Sequence, residues 1–171
     1  MANGVRVGIA GAGLGGVAAA GLLQRAGFDV ILFDQAPGFA RLGAGIQFGP
    51  NVLKILSHLD GLDKKLEEIS CLPDYWVSRQ WDTGEIMAKI PLSAERSRYG
   101  APYITIHRGD LHQLMLDCVQ PERVRWGHKL VDFQDNGRDV TLNFENGARE
   151  TVDILVGADG INSRVREKIF G

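Results

Sequence analysis

The stretch Val5-Arg6-Val7-Gly8-Ile9-Ala10-Gly11-Ala12-Gly13-Leu14-Gly15-Gly16 decides how this chain is read. Val5 to Ala10 is a short apolar run of the kind that forms a buried parallel strand. It passes directly into Gly11, Gly13 and Gly16, which fit G-x-G-x-x-G. An alanine- and leucine-rich segment follows, helical from about Leu14 to Ala26, with Gly27 at the expected C′ position. Phe28 to Phe33 is a second buried strand that ends at Asp34. This is a βαβ unit, and its crossover should be right-handed. In such a turn Gly11 permits the tight bend, Gly13 lets a pyrophosphate approach the backbone, and Gly16 lets the helix pack close to the strand. The amides of Leu14, Gly15 and Gly16, at the positive end of the helix dipole, would hold the diphosphate. Asp34 lies 23 positions after Gly11, where a carboxylate can accept from ribose hydroxyls. Without a ligand the same residues would be a flexible glycine loop and a solvated aspartate. Strand, helix, spacing and acid together favour dinucleotide binding. An acid here suits an unphosphorylated 2′-hydroxyl, which FAD and NAD share, so the motif by itself does not separate them.

The rest of the composition narrows the class. Glycine supplies 22 of 171 residues, nearly twice the usual ~7%. With 44% hydrophobic and 23% charged residues the chain suits a soluble globular domain, and its formal net charge of −2 argues against a nucleic-acid or polybasic membrane binder. No charge-free run of 18 apolar residues exists, and the segment from Val5 to Ala26 lacks the basic start of a signal peptide. Cys71 and Cys118 show no CxxC spacing, so neither a disulfide framework nor zinc is expected and the chain reads as cytoplasmic. His107 and His112 are five apart, about 140° around a helix, and His58 and His128 stand alone; no metal site is expected.

Beyond Asp34 the order of elements departs from repeated βαβ units. Arg41 to Pro50 reads as a glycine-rich loop, Asn51 as the N-cap of a helix through Leu59, and Leu62 to Ile69 as a second helix. Asp82-Thr83-Gly84 marks a hairpin between Asp74 and Ile90, and Pro91 to Pro102 reads as irregular. Tyr103 to His107 reads as extended, leading into a helix from Leu111 to Val119. Asn136-Gly137 and Asn146-Gly147 divide Val124 to Val152 into a three-stranded meander. Ile154 to Val156 reads as a further buried strand. Gly157-Ala158-Asp159-Gly160 and a basic segment from Asn162 to Lys168 follow it, and Arg164, Arg166 and Lys168 are expected on a solvated helix face. Trp76, Trp81 and Trp126 are expected in core or sheet packing.

This interleaving resembles the class A FAD-dependent aromatic hydroxylases over essentially the whole chain. The likeness is carried by Gly11 to Gly16, by Arg41-Leu42-Gly43-Ala44-Gly45-Ile46, by Ile106-His107-Arg108 with Leu111, and by Gly157-Ala158-Asp159-Gly160 with Ser163 and Arg166. The last of these is similar to the family's DG motif, which serves both FAD and NAD(P)H. Within the family, Gln35-Ala36-Pro37, Gly49-Pro50-Asn51 and Tyr103 to His112 are most similar to the members that hydroxylate hydroxypyridines, and less continuously to those acting on salicylate.

The resemblance implies a three-layer α/β, Rossmann-like domain over residues 1–171, with a parallel sheet and a β-meander crossover. The hairpin over 74–102 would belong to an antiparallel substrate-side sheet. It implies FAD bound by Gly11, Gly13, Leu14, Gly15, Gly16, Asp34, Gln35, Arg41, Gln47, Arg108, Leu130 and Asp159. Arg108 and Arg41 would meet flavin phosphates or ribityl oxygens, and the Leu130 backbone the adenine. NADH or NADPH would reduce the flavin, and O2 would add to give a C4a-hydroperoxide that hydroxylates a small aromatic such as a hydroxypyridine or phenol carboxylate. Gln47 stands where the hydroxypyridine members carry a histidine, and it is the one catalytic candidate. Glutamine can hydrogen-bond but cannot accept a proton near neutral pH. Family members continue with a GD motif and most of the substrate pocket, so the chain reads as a truncated N-terminal portion. The apolar surface thus uncovered makes a homodimer an expectation. A stand-alone NAD-dependent dehydrogenase, or a non-catalytic module that holds no flavin, are the competing readings.

Overall fold

Branched apolar runs become strands, and the alanine-rich run a helix, in the computed structural model of the chain, which describes residues 4–59 and 61–171. In chain order the elements are β1 (Arg6–Ala10), α1 (Leu14–Arg25), β2 (Asp29–Phe33), β3 (Gly45–Phe48), α2 (Pro50–Leu56), α3 (Leu62–Ile69), β4 (Tyr75–Arg79), β5 (Ile86–Pro91) and α4 (Glu95–Tyr99). They continue with β6 (Ile104–His107), α5 (Arg108–Leu116), a 3-10 turn over Pro121–Arg123, β7 (Val124–Arg125), β8 (Leu130–Asp135), β9 (Val140–Phe144), β10 (Arg149–Val152), β11 (Ile154–Gly157) and α6 (Arg164–Phe170). They form two compact units. One joins the described residues up to Arg41 to His112–Gly171, and the other is Leu42–Leu111, so the boundary falls inside α5.

The first unit is built on a parallel sheet in the order β11-β1-β2-β7. Strand alternation sorts its side chains onto two faces. Val7, Ile9, Val30 and Leu32 point one way, and α1 packs on these strands with Val17 and Ala20 buried. Ala10, Ile31 and Phe33 point the other way, into a core shared with Leu130, Phe133, Leu142, Phe144 and Val152 of the antiparallel meander β8-β9-β10 and with Val165 of α6. Helix, parallel sheet and meander are the three expected layers. Phe33 and Phe144 meet with ring centres 4.7 Å apart. Each fully buried side chain of this kind stabilises the fold by roughly 1.5–3 kcal/mol.

The second unit pairs β3 with β6, Ile46 opposite Ile106, while Cys71 bridges to Thr105 on the other side of β6. Leu53, Leu56, Leu62 and Leu66 from α2 and α3 are buried with Ile104 and Ile106. The hairpin β4–β5 lies in this unit with every strand residue but the half-buried Ser78 exposed.

Several local expectations are corrected. The segment over 41–50 contains a strand, β3, because its partner β6 completes the ladder. Asn51 is not the cap of α2: Gly49 takes that position, with Pro50 in the first turn, where its missing N–H costs nothing. The helix ends at Leu56, and the turn to Leu59 is closed by separate backbone bonds. Residues 91–102 include the short helix α4, ended by Gly100 at φ +80. Val124 does not open the meander, because β7 joins the parallel sheet beside β2. In the described residues β11 is a sheet edge and Ile154 is 45% exposed, so this strand is not buried. Of the tryptophans, Trp76 sits in the β4–β5 ladder opposite Ile90 but is 45% exposed, Trp126 is half-buried, and Trp81, in the turn after β4, is 91% exposed and packs in neither core nor sheet.

Candidate functional site

Where β1 ends, the chain turns at Gly11 with φ +102, a conformation that side chains rarely adopt. A Cβ there would also lie 2.3 Å from the carbonyl oxygen of Ala158, so the turn after β1 and the turn after β11 touch at backbone level. At Gly16 the approach is closer still, because a Cβ would sit 1.8 Å from the carbonyl oxygen of Gly11. Gly13 differs in kind. It is the N-cap of α1, makes no side-chain cap, and has nothing within 4 Å of the place a Cβ would occupy. Two glycines of the motif thus serve packing, while the third leaves the mouth of the helix open. Helix α1 presents first-turn amides without a side-chain cap, an arrangement suited to an anion.

That mouth opens on a cavity of about 650 Å³ lined by Gly11, Gly13, Asp34, Gln35, Leu130 and Asp159 among others. Asp34 is fixed by the backbone. Its Oδ2 accepts from the Ala12 N–H at 2.6 Å and its Oδ1 from the Ala36 N–H at 2.8 Å. A carboxylate has about four acceptor sites, so about two remain for hydroxyls of a ligand. Asp159 is more heavily engaged. Its carboxylate accepts from Ser163 Oγ at 2.5 Å and from the Arg164 and Val165 amides at 2.7 and 3.3 Å, while Ser163 caps α6 through the Arg166 amide at 3.0 Å. Leu130 is 7% exposed and belongs to both the core and the cavity wall.

Leu14, Gly15 and Gly16 form the first turn of α1. Arg41 is exposed at the end of the first unit's leading segment. Gln47 and Arg108 belong to the second unit. There Arg108 lies across Gly43, whose Cβ would be 3.0 Å from that of Arg108, and its amide donates to the Ala44 carbonyl at 2.9 Å. Gln47 is exposed on β3, where its Oε1 accepts from the Tyr103 hydroxyl.

The cavity is also lined by residues not among the expected FAD contacts: His128, Lys129, Ile161, Asn162 and Arg164, the last of them expected only on a helix face near the nicotinamide cofactor. The backbone of His128 donates to the Asp34 carbonyl at 2.7 Å and that of Gly127 to Ala36 at 2.7 Å. The segment entering β8 therefore runs alongside the residues after β2. Lys129 pairs with Glu145 at 2.8 Å and Arg164 with Glu167 at 2.6 Å, and the Glu167 carboxylate holds the Arg164 guanidinium more firmly protonated than an isolated arginine. No local pattern marks His128 and Lys129, which tertiary pairing brings to the cavity, whereas Ile161, Asn162 and Arg164 directly follow the Gly157–Gly160 turn.

Residues 4–170 match the family described as FAD binding domain. The chain belongs to that family. This bears out the resemblance read from the glycine motif, the Arg108 segment and the DG turn. The chain is 46% identical over 172 residues to 6-hydroxynicotinate 3-monooxygenase of Pseudomonas fluorescens, covering all of this chain and 44% of that protein. It is 38% identical to 3-hydroxybenzoate 6-hydroxylase of Polaromonas naphthalenivorans, covering 95% of this chain and 42% of the relative. Among solved structures it is similar to Klebsiella pneumoniae HpxO complexed with FAD and uric acid, with TM-score 0.87 and 26% identity over 98% of this chain and 42% of that one. The chain thus spans less than half the length of the relatives it matches. The cradle fits the cofactor of the family: open backbone at Gly13, an uncapped helix start, and a carboxylate with free acceptor sites in one cavity. In the described residues no helix is long and apolar enough to cross a membrane.

Proposed function

We propose that this chain is the FAD-holding portion of an NAD(P)H-dependent aromatic-ring hydroxylase acting on a small hydroxypyridine or phenol carboxylate. The observation that carries the reading is the cavity that Gly13, Asp34 and Leu130 line together beside the open start of α1. Similarity to hydroxynicotinate and hydroxybenzoate hydroxylases supports the substrate class. Bound flavin would supply the activation of O2 and the transfer of one oxygen atom to the ring, after reduction by NADH or NADPH.

The chain's own residues bind and orient. Amides of Gly13, Leu14, Gly15 and Gly16 take the diphosphate, with the dipole of α1 favouring its charge. Asp34 accepts from ribose hydroxyls, and Gln35 and Leu130 bound the adenosine end. Asp159, with its carboxylate committed to α6, serves by shaping the turn that Gly11 packs against. Arg41 and Arg108 supply planar donors for phosphate or ribityl oxygens. Gln47 offers a hydrogen bond on the substrate side and takes no proton. The hairpin over 74–102 belongs to the substrate side, and the protein works as a homodimer in the cytoplasm.

The test is the visible absorption spectrum of the purified chain before and after titration with FAD. Flavin bands approaching one per chain are expected, with flavin fluorescence changing on binding. A colourless protein that leaves added FAD unaltered would overturn the reading.

A further inference from the structure

Ala12, between the first two glycines of the motif, is 2% exposed and is gripped on both of its polar groups. Asp34 Oδ2 accepts from its N–H at 2.6 Å, and on its other side His112 Nε2 lies 2.6 Å from its carbonyl oxygen. A carbonyl can only accept, so the Nε2 atom carries the proton and donates. The His112 ring is steadied by Phe39, whose ring centre is 5.3 Å away at 67°. Thus a residue of α5, far along the chain from the glycine loop, fixes one face of it.

A trans peptide is planar, with its C=O and N–H on opposite sides. The Ala12 carbonyl shares its peptide plane with the Gly13 N–H. Turning that carbonyl toward His112 turns the Gly13 N–H away from His112, and Gly13 lines the cavity. Glycine on both sides of Ala12 gives this peptide little steric preference of its own. Without a donor on the carbonyl, the plane could rotate and withdraw the amide.

We propose that His112 is a positioning residue: through the Ala12 carbonyl it aims the Gly13 amide at the cofactor diphosphate, with Asp34 holding the preceding peptide. The proposal rests on the FAD-binding reading above. His112 itself needs no contact with the ligand.

Three measurements test it. In the wild-type chain without ligand, nitrogen–proton correlation of the His112 ring should find a proton on Nε2; a ring protonated on Nδ1 alone cannot donate to Ala12 and overturns the proposal. Titration with FAD should show His112→Ala weaker by about tenfold. His112→Gln, which restores an N–H at similar reach, should stay within about threefold of wild type. Equal losses in both variants, or no loss in His112→Ala, would refute the positioning role. Finally, the Gly13 amide resonance of the ligand-free chain should broaden or shift in His112→Ala and return in His112→Gln, whereas an unmoved Gly13 signal contradicts the mechanism. If wild type itself leaves FAD unbound, the cofactor reading fails, while the ring and amide signals still judge the clamp.

Discussion

Replacing Gly16 by alanine tests the division of labour among the motif glycines. The added methyl would lie 1.8 Å from the Gly11 carbonyl oxygen, whereas real Cβ atoms essentially never come under 3.0 Å of a neighbour, so the backbone itself must open. The partner is backbone of a loop already pressed against Ala158, so no side chain can swing aside. Overpacking of this kind costs about 1–3 kcal/mol, here toward the upper end. Alanine returns about 0.8–1 kcal/mol of helix propensity. The net loss is about 2 kcal/mol, or a fall in Tm of about 4–8 °C for a chain of this size. Gly13→Ala is the control. Its methyl enters open space, so Tm should move by no more than a cap substitution allows, about 1 kcal/mol or less; under the proposed diphosphate site the methyl would stand in the cofactor's path, and FAD affinity should fall at least tenfold. Thermal unfolding followed by circular dichroism, with flavin titration of each variant, reads both. A Gly16→Ala chain as stable as wild type, or a Gly13→Ala chain that binds FAD normally, would refute the reasoning.

Other outcomes follow from the same contacts. Asp34→Ala should weaken FAD at least tenfold by calorimetric titration, and unchanged affinity would remove Asp34 from the ribose site. Asp159→Ala strips the donors at the start of α6 of their acceptor and should lower stability by about 1–2 kcal/mol in urea unfolding; an unaltered midpoint would show that Ser163 suffices as cap. The Lys168 ammonium donates to Asp132 and holds its carboxyl below the ordinary value of 3.8. The native state therefore binds that proton less readily than the unfolded chain. The pair's contribution is full above the unfolded value and is lost as pH falls through the lowered native one. Asp132→Asn should flatten the acid side of a Tm–pH curve below the ordinary value of 3.8, and an identical acid limb in the variant would contradict this.

What was legible in the sequence was what is local. The unit from β1 to β2, the glycine motif and Asp34 form one unbroken stretch near the start of the chain, and their apolar runs and spacing determine one another. The meander is announced by its Asn-Gly turns. What escaped depends on partners far along the chain. Two residues of β7 become a strand only because β2 offers them an edge, and the apolar look of β11 says nothing of whether a neighbour covers it. Helix α4, Glu95–Tyr99, has no apolar stripe to betray it. The same holds at the site: Gly11 to Gly16 could be read directly, whereas His128, Lys129 and His112 reach the loop or its cavity only through folding.

The central place of β1 has a consequence for how the molecule is made. Val7 pairs on one side with Val30 and on the other with Ile154, which lies near the opposite end of the sequence. Strand β1, made before its neighbour β11, thus keeps one edge bare until Ile154–Gly157 has been synthesised. Leu42–Leu111, by contrast, is one continuous segment that closes on itself. Sequence-distant pairing is slow, because the loop must be closed before the contact repays it. The order of birth and the order of completion are therefore inverted. On this reasoning Leu42–Leu111 can close without waiting for distant partners, whereas the glycine turn after β1 is complete only when β11 lies beside β1 and brings Ala158 against Gly11.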